Sequence, residues 1–161
     1  MSAVHQLKDY EVEGVEVIKP KRPAFFDAET LPWTPWVMEG TYFRLLNVNP
    51  VTGGFTNILK VDPGMEAPIH HHLGAIEGYI IEGEFGYDDD RGGKGSFVFE
   101  EPNSIHKPDT PGGFTMFAVN YGPLMGYNPD GSISAIIDAK AMYEMAKANG
   151  AADHLAHYYE D

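Results

Sequence analysis

Short apolar runs separated by turn residues dominate the middle of the chain. The runs are rich in β-branched and aromatic residues, which favour β-strands. Between them lie pairs and triplets of Gly, Pro, Asn and Asp, which favour tight reversals of the backbone. The predicted strands are residues 41–48, 55–61, 78–81, 96–99, 114–120 and 132–137. Their number and spacing predict an all-β fold, an antiparallel barrel or sandwich.

The apolar positions change to a helical period after residue 137. Asp138 is placed to cap a helix over residues 139–149, and Gly150 is placed to end it. One face of this helix carries its apolar residues, which are Ala139, Met142, Tyr143 and Ala146. A second, short helix is predicted over residues 153–159.

The beginning of the chain is irregular and rich in proline. Its predicted packing anchors are Phe25, Phe26, Trp33 and Trp36. We therefore divide the chain into an N-terminal arm (1–40), a barrel (41–137) and a C-terminal helical segment (138–161). We expect the arm to cover the barrel, or to exchange residues 20–40 with the edge strand of a neighbouring subunit in a homodimer or homotetramer.

Composition and charge restrict the chemistry of this single domain of 161 residues and 17.8 kDa. The absence of cysteine excludes disulfides, thiolate zinc sites, iron–sulfur clusters and cysteine nucleophiles. A formal net charge of −13 makes nucleic acids and anionic membranes poor partners. Because the sequence has neither an apolar targeting segment nor a run of about 18 apolar residues, we expect a cytoplasmic location.

Histidines are then the main metal-binding residues, and the chain has seven. If the segment around residue 70 is extended, His70 and His72 point to one face and can chelate one metal ion, while His71 points away. His106 follows a predicted strand and a turn with proline, so it can add a third imidazole. The remaining histidines are assigned to the surface or to an interface: His5, His154 and His157. A second metal site at the C-terminal pair is the alternative.

These residues resemble the two sequence motifs of the cupin superfamily. The first motif is matched by Gly64, His70, His72, Glu77 and Gly83. The spacing between the last two of these is one residue shorter than in the superfamily. The second motif runs from Gly95 to His106 at its full length, although Pro102 stands one place late. The resemblance implies a small cupin jelly-roll barrel with a metal ion inside.

Within the superfamily, the chain more closely resembles 2,4'-dihydroxyacetophenone dioxygenase and the related acetylacetone-cleaving cupins. This resemblance rests on residues 70–83, 95–106 and 127–131, and it covers about residues 40 to 150. It implies a mononuclear non-haem Fe(II) enzyme that uses O2 to cleave a carbon–carbon bond beside a ketone. The implied substrates are small apolar β-diketones or α-hydroxyketones.

The resemblance implies three histidine ligands: His70, His72 and His106. Glu77 and Asp90 are candidates for a fourth ligand or for a residue that orients a ligand. Counting forward from His72 favours Glu77, whereas counting back from Gly83 puts Ile76 in that place, and a slip of one residue reverses the face. Asp90 belongs to an acidic run that also fits a solvated hairpin loop.

The choice of Fe(II) rests on the resemblance, because imidazoles also bind Zn(II) and other divalent metals. The implied mechanism places two substrate oxygens on the metal, which acidifies the substrate toward an enolate. O2 then attacks, and the adjacent carbon–carbon bond breaks to give two carbonyl products. The candidate pocket walls are Tyr79, Ile81, Phe97, Phe99, Phe117 and Tyr121, of which about half can face the interior of a barrel.

Three other cupin functions are alternatives. A non-catalytic Zn-binding sensor, as among the anti-sigma-factor cupins, would need a helical partner-binding domain, for which we expect no room in 161 residues. A sugar or keto-acid isomerase would need charged residues near the metal, whereas the candidate walls are aromatic. A flavonol-cleaving dioxygenase fits the metal but often has two cupin domains and a firm glutamate ligand.

Overall fold

The structure is a computed structural model and describes residues 12–160, so the predicted surface position of His5 lies outside the described residues. The strands, in chain order, are β1 (Thr34–Pro35), β2 (Thr41–Val48), β3 (Phe55–Val61), β4 (Met65–Glu66), β5 (His70–His72), β6 (Ile76–Tyr87), β7 (Asp90–Gly93), β8 (Phe97–Glu100), β9 (Ser104–His106), β10 (Asp109–Thr110), β11 (Phe114–Asn120), β12 (Leu124–Tyr127) and β13 (Ile133–Ile137). They are accompanied by one α-helix, α1 (Ala139–Ala148), and by 3-10 helices at Ala28–Thr30 and Asp153–Tyr158.

The strands form two curled antiparallel sheets, a jelly-roll barrel. In the larger sheet the order is β1-β2-β3-β11-β6-β10-β4, and β7 and β8 also pair with β6. In the smaller sheet the order is β13-β12-β5-β9. The predicted all-β fold is therefore confirmed.

The longest predicted strands have the predicted bounds. β2, β3 and β11 begin and end where their runs of β-branched and aromatic residues do. β6 is longer than predicted and carries a bulge beside Ile81, where its register against β11 shifts. The pattern did not indicate several strands of two to four residues, because so short a segment carries no measurable period.

The C-terminal helix is confirmed. The Asp138 carboxylate accepts a hydrogen bond from the backbone N–H of Ala141 at 2.8 Å, which satisfies a free donor of the first turn. The four apolar residues predicted for one face are all buried. They pack on Phe43 and Leu45 of β2, so α1 covers one end of the barrel.

The part of the N-terminal arm nearest the barrel packs on its own subunit. β1 pairs with β2, and the Arg44 guanidinium of β2 donates to the backbone oxygen of Leu31 and to the carboxylate of Glu29. The same guanidinium lies 4.3 Å from the centre of the Trp33 ring. Within the range 20–40 predicted for exchange, Glu29, Leu31 and Trp33 therefore contact their own subunit.

No helix among residues 12–160 is both long and apolar enough to cross a membrane.

The tight approach of two backbones at Gly83 gives a first prediction. Gly83 has a φ of +76°, and a Cβ there would overlap the carbonyl oxygen of Gly113. Gly131 has a similar φ of +83°, but a Cβ there would meet nothing within 4 Å. Positive φ alone costs about 1–2 kcal/mol for a residue with a Cβ. Gly83→Ala should therefore lower the free energy of unfolding in urea by at least about 2 kcal/mol more than Gly131→Ala. Equal losses would mean that the backbones separate easily.

Candidate metal centre

Three imidazoles meet on the inward face of the smaller sheet. His70 and His72 alternate along β5, so both point the same way, and His106 on β9 lies directly opposite His70. Each pair of ring centres is 4.8 Å apart, and one ligand nitrogen from each ring lies within 4.8 Å of the others. Among residues 12–160, no other group of three or more His, Asp or Glu side chains could hold a metal ion.

The hydrogen bonds of these rings leave nitrogens available for a metal ion. The Nδ1 of His70 lies 2.9 Å from the backbone oxygen of Pro68, which accepts its hydrogen and leaves Nε2 with a lone pair. The Nε2 of His106 is buried without any hydrogen-bond partner. A buried polar atom without a partner is costly, and a metal ion would supply the partner. The three side chains therefore fit a metal ion.

Burial keeps these imidazoles neutral. It lowers the pKa of His70, and together with the neighbouring imidazoles it lowers the pKa of His72 to about 3. Burial, with His70 alongside, also lowers the pKa of His106 to about 4. Only a neutral imidazole has a lone pair for a metal, so the centre can bind one without first releasing protons at neutral pH.

His71 points out of the barrel, as its place between two inward-facing residues requires. Its Nδ1 lies 2.9 Å from the Tyr127 hydroxyl, and its Nε2 lies 3.1 Å from Oδ1 of Asn103. These contacts join β12 and the turn before β9 to β5. His71 thus links the strands that carry the three clustered histidines to their neighbours.

Glu100 is a fourth polar side chain in the cluster, and the sequence analysis did not select it. Its Oε2 lies 3.2 Å from Nε2 of His72 and 3.6 Å from Nε2 of His106. The ring of Tyr87 stacks on His106, and its hydroxyl donates a hydrogen bond to Oε1 of Glu100. Burial raises the pKa of Glu100 from its ordinary 4.5 to about 7.

A signal for Glu100 was present in the sequence. Phe97 and Phe99 of β8 are exposed, whereas Val98 and Glu100 face inward. Strand alternation therefore puts a carboxylate on the same face as an apolar residue. A charged residue on the inward face of a strand indicates a functional site, provided that the inward face is known.

Neither candidate for a fourth ligand lies in the histidine cluster. Ile76 faces the cavity, and the next residue of β6, Glu77, lies on the outer face, where it accepts a hydrogen bond of 2.6 Å from the Tyr121 hydroxyl. Counting back from Gly83 therefore predicts correctly that Ile76, and not Glu77, faces the cavity. Asp90 is an exposed residue at the start of β7 and takes no part in the histidine cluster.

Five of the six predicted pocket walls lie on the outer face of the larger sheet, and Tyr121 directly follows the end of β11. Their side chains are 39–65% exposed, and none of them lines the cavity beside the histidines. The predicted residues on β6 and β8 do share a face, as alternation requires. Their neighbours on these strands, including Ile80, are apolar as well, so the hydrophobic pattern did not distinguish inside from outside.

The cavity beside the histidines has a volume of about 110 Å³. Most of its wall is apolar and includes Phe55, Leu59, Ile76, Phe85, Met116 and Leu124. Two buried amides also line it, Asn57 and Asn120, which lie 3.4 Å apart. The indole N–H of Trp36, another lining residue, is buried without a hydrogen-bond partner.

The sequence matches the family described as the ChrR cupin-like domain over residues 21–125. The chain belongs to this family. None of the curated proteins with which this cupin was compared matches it in sequence.

Solved cupin structures share the fold. An RmlC-like cupin from Ralstonia eutropha JMP134 is 24% identical, with a TM-score of 0.74, over 80% of this chain and 87% of that one. Acetylacetone dioxygenase from Acinetobacter johnsonii is 19% identical, with a TM-score of 0.69, over 88% and 99%. Anti-sigma ChrR from Rhodobacter sphaeroides, solved in complex with SigE, is 20% identical, with a TM-score of 0.50, over 58% and 51%. At these identities the likeness establishes the cupin fold.

Metal binding by this cupin tests the assignment of the three histidines. His106→Ala should lower the affinity for one divalent metal ion per chain at least about 10-fold, because it removes one of the three clustered nitrogens. His71→Ala is the matched control on β5, since His71 faces away from the cluster. Isothermal titration with Zn²⁺ and elemental analysis measure the result. Equal metal content in the two variants would contradict the assignment.

The metal-free cupin should show the raised pKa of Glu100 in its stability. A carboxyl with a higher pKa in the folded state than in the unfolded state destabilises the fold once it ionises. This loss begins near pH 4.5 and is complete above about pH 7. With EDTA present, Glu100→Gln should therefore gain about 2 kcal/mol relative to the parent protein between pH 5 and pH 8.

Urea unfolding at the two pH values measures this difference. The lowered pKa values of the histidines affect both proteins alike and cancel in the comparison. A difference between the two proteins that does not change with pH would show that Glu100 titrates as an exposed carboxyl does.

Proposed function

We propose that this cupin is a mononuclear non-haem Fe(II) dioxygenase that cleaves a carbon–carbon bond beside a ketone. The proposed substrates are small apolar β-diketones or α-hydroxyketones, with O2 as the second substrate. One observation carries the proposal: three neutral imidazoles and a buried carboxylate lie together at the wall of an apolar cavity.

The donor set supports iron among the metals that imidazole binds. His70, His72 and His106 would hold the metal, and Glu100 lies beside two of them. Imidazole nitrogens bind Fe(II) among other divalent metals, and three protein donors leave positions open for the substrate and O2. When bound, the metal supplies Lewis acidity toward the ketone oxygens and a redox centre for O2.

Glu100 is placed to take up a proton from the substrate. Its Oε2 faces the histidine nitrogens, while its Oε1 is held by the Tyr87 hydroxyl, so the carboxylate has a fixed orientation. Loss of a proton from the carbon between two carbonyls, or from the hydroxyl of an α-hydroxyketone, turns the substrate into an electron-rich enolate or alkoxide. Glu100 would hold that proton at Oε2.

The atoms of the proposed reaction balance without an external reductant. The bond between a carbonyl carbon and its neighbour breaks, and both atoms of O2 enter the products. O2 takes up four electrons, two from the cleaved carbon–carbon bond and two from a C–H bond of the neighbouring carbon. From a β-diketone the products are a carboxylic acid and an α-ketoaldehyde, which together contain the substrate and O2. The proton held by Glu100 returns to the carboxylate product.

The cavity supports a small apolar substrate. Its wall is mostly apolar and its volume is about 110 Å³, which suits a compact ketone and offers few partners to the hydroxyls of a sugar. The two buried amides contact each other. The same wall keeps water away from the reacting atoms.

A non-catalytic metal-binding sensor is the second candidate. The observation that favours it is the name of the matched family, which refers to ChrR. The ChrR of Rhodobacter sphaeroides is an anti-sigma protein. The matched region makes up 51% of that ChrR chain, so about half of ChrR has no counterpart in the comparison. The two candidates differ in one measurable property, since a sensor binds metal without consuming O2.

Oxygen consumption decides between them. Protein purified without a His tag is analysed for metal, loaded anaerobically with Fe(II), and mixed with O2 and a panel of β-diketones and α-hydroxyacetophenones. We expect O2 uptake of about one molecule per molecule of substrate cleaved. Tightly bound Zn with no O2 uptake across the panel would favour the sensor.

The Glu100→Gln variant tests the proposed proton transfer. Loss of a positioned proton acceptor costs about 10²–10⁴-fold in rate, so kcat should fall at least about 100-fold while the bound iron per chain stays unchanged. The matched control is Glu77→Gln, because Glu77 lies one strand away on the outer face. Equal rates in the two variants would remove Glu100 from the mechanism.

A further inference from the structure

A second cavity, here called the outer cavity, adjoins the cavity beside the histidines, here called the inner cavity. The outer cavity has a volume of about 320 Å³, against about 110 Å³ for the inner one. The residues that line both cavities are Trp36, Met38, Ala67, His70 and Leu124. The two cavities therefore meet at one of the three clustered histidines.

Small residues on the inward face of the smaller sheet leave room for the outer cavity. His70 of β5 lies opposite Gly126 of β12, and Gly126 lies opposite Ala135 of β13. Residues that are opposite each other in antiparallel strands point to one face, so these two positions continue the face that carries the histidines. One has no side chain and the other has a methyl group, whereas the next row of the same two strands carries Leu124 and Ile137. The face beside His70 is therefore open over two strand spacings, about 10 Å.

The lining of the outer cavity is apolar. Among residues 12–160, no Asp, Glu, Lys or Arg side chain lines it, although the chain has 24 acidic and 11 basic residues. Aromatic rings and thioethers contribute to its wall: Trp36, Met38, Met125 and Tyr127. The Tyr127 hydroxyl already has a partner in Nδ1 of His71, at 2.9 Å. Such a wall favours a flat aromatic group, because rings and thioether sulfurs pack well against one.

One side of the outer cavity is open to water. Val37, Pro68 and Ala135 line it and are exposed. Ala135 lies on β13, which is an edge strand of the smaller sheet. The outer cavity therefore lies between the surrounding water and the histidines, so a group bound there can belong to a molecule whose other end reaches the inner cavity.

We propose that the outer cavity binds an aryl group of the substrate while the ketone end of the same molecule lies at the histidines. This rests on the proposed function and narrows its substrates to aryl-substituted β-diketones and α-hydroxyketones. Small-molecule sites typically have volumes of about 300–1,000 Å³. The inner cavity is below that range and suits the reacting atoms, whereas the outer cavity reaches it. Ala135 is then a specificity-determining residue, because a larger side chain there would occupy the space of the ring.

Binding to the zinc-loaded full chain tests the aryl site without turnover, because Zn²⁺ has no redox chemistry. The probes are acetylacetone and benzoylacetone, which differ by a phenyl ring in place of one methyl group. Isothermal titration should give a dissociation constant at least about 10-fold lower for benzoylacetone, since its ring is removed from water. Equal dissociation constants would overturn the aryl site alone. Absence of binding by both diketones would count against the proposed function and remove the aryl site with it.

Ala135→Phe should remove the preference for the aryl compound. The new ring would fill the outer cavity at a distance from the histidines, so the dissociation constant of benzoylacetone should rise at least about 10-fold while that of acetylacetone changes less than about 2-fold. Ile136→Phe is the matched control, because Ile136 is the next residue of β13 and does not line the outer cavity. Equal losses of benzoylacetone affinity in the two variants would contradict the proposal.

Val37→Asp tests the same site from another wall. Val37 lies between β1 and β2, is 57% exposed, and lines the outer cavity but not the inner one. A carboxylate there should raise the dissociation constant of benzoylacetone at least about 5-fold, because an apolar ring beside it would displace its water. Circular dichroism and an unchanged zinc content per chain show that each variant is folded with its histidine cluster intact. Unchanged benzoylacetone affinity in both Val37→Asp and Ala135→Phe would show that the ring binds elsewhere and overturn the proposal.

Discussion

The antiparallel pairing of β5 with β9 is the constraint on which the metal centre depends. Its register sets His70 opposite His106, and the alternation of side chains along β5 adds His72 to the same face. Residues far apart in the sequence thereby present their imidazoles to one point inside the barrel. A shift of one residue in this pairing would replace His106 by Ile105 or Lys107 at that point. The outward bonds of His71 to the neighbouring segments oppose such a shift.

Burial then gives the centre its chemistry. Removal from water disfavours the charged form of every group, so it keeps the imidazoles neutral and favours the neutral form of Glu100. The two effects have one cause but different consequences. The histidines retain the lone pairs that a metal ion would need, and the carboxyl group can hold a proton at neutral pH. The site therefore depends on its apolar wall. Contact with water would raise the pKa values of the histidines and lower the pKa of Glu100.

The larger sheet uses its two faces for different purposes. The inner face of β6 and β11 supplies apolar walls such as Ile76 and Met116, while the outer face of the same strands carries Tyr79 and Phe117. A sheet with one solvated face normally has polar residues on that side. The outer face of the larger sheet departs from this pattern, because its exposed side chains include Tyr79, Phe97 and Phe117.

The sequence alone determined the antiparallel strands, the capped helix, the three histidines and the family resemblance, because these depend on local period, turn residues and spacing. It did not determine Glu100, the face of Glu77 or the true cavity walls. Where both faces of a strand carry apolar residues, the alternation of apolar and polar positions does not show which face is buried. Only the tertiary structure decided which face closes around the cavity, since that depends on how the two sheets curl and pair. The proton-holding carboxylate became visible once that face was known.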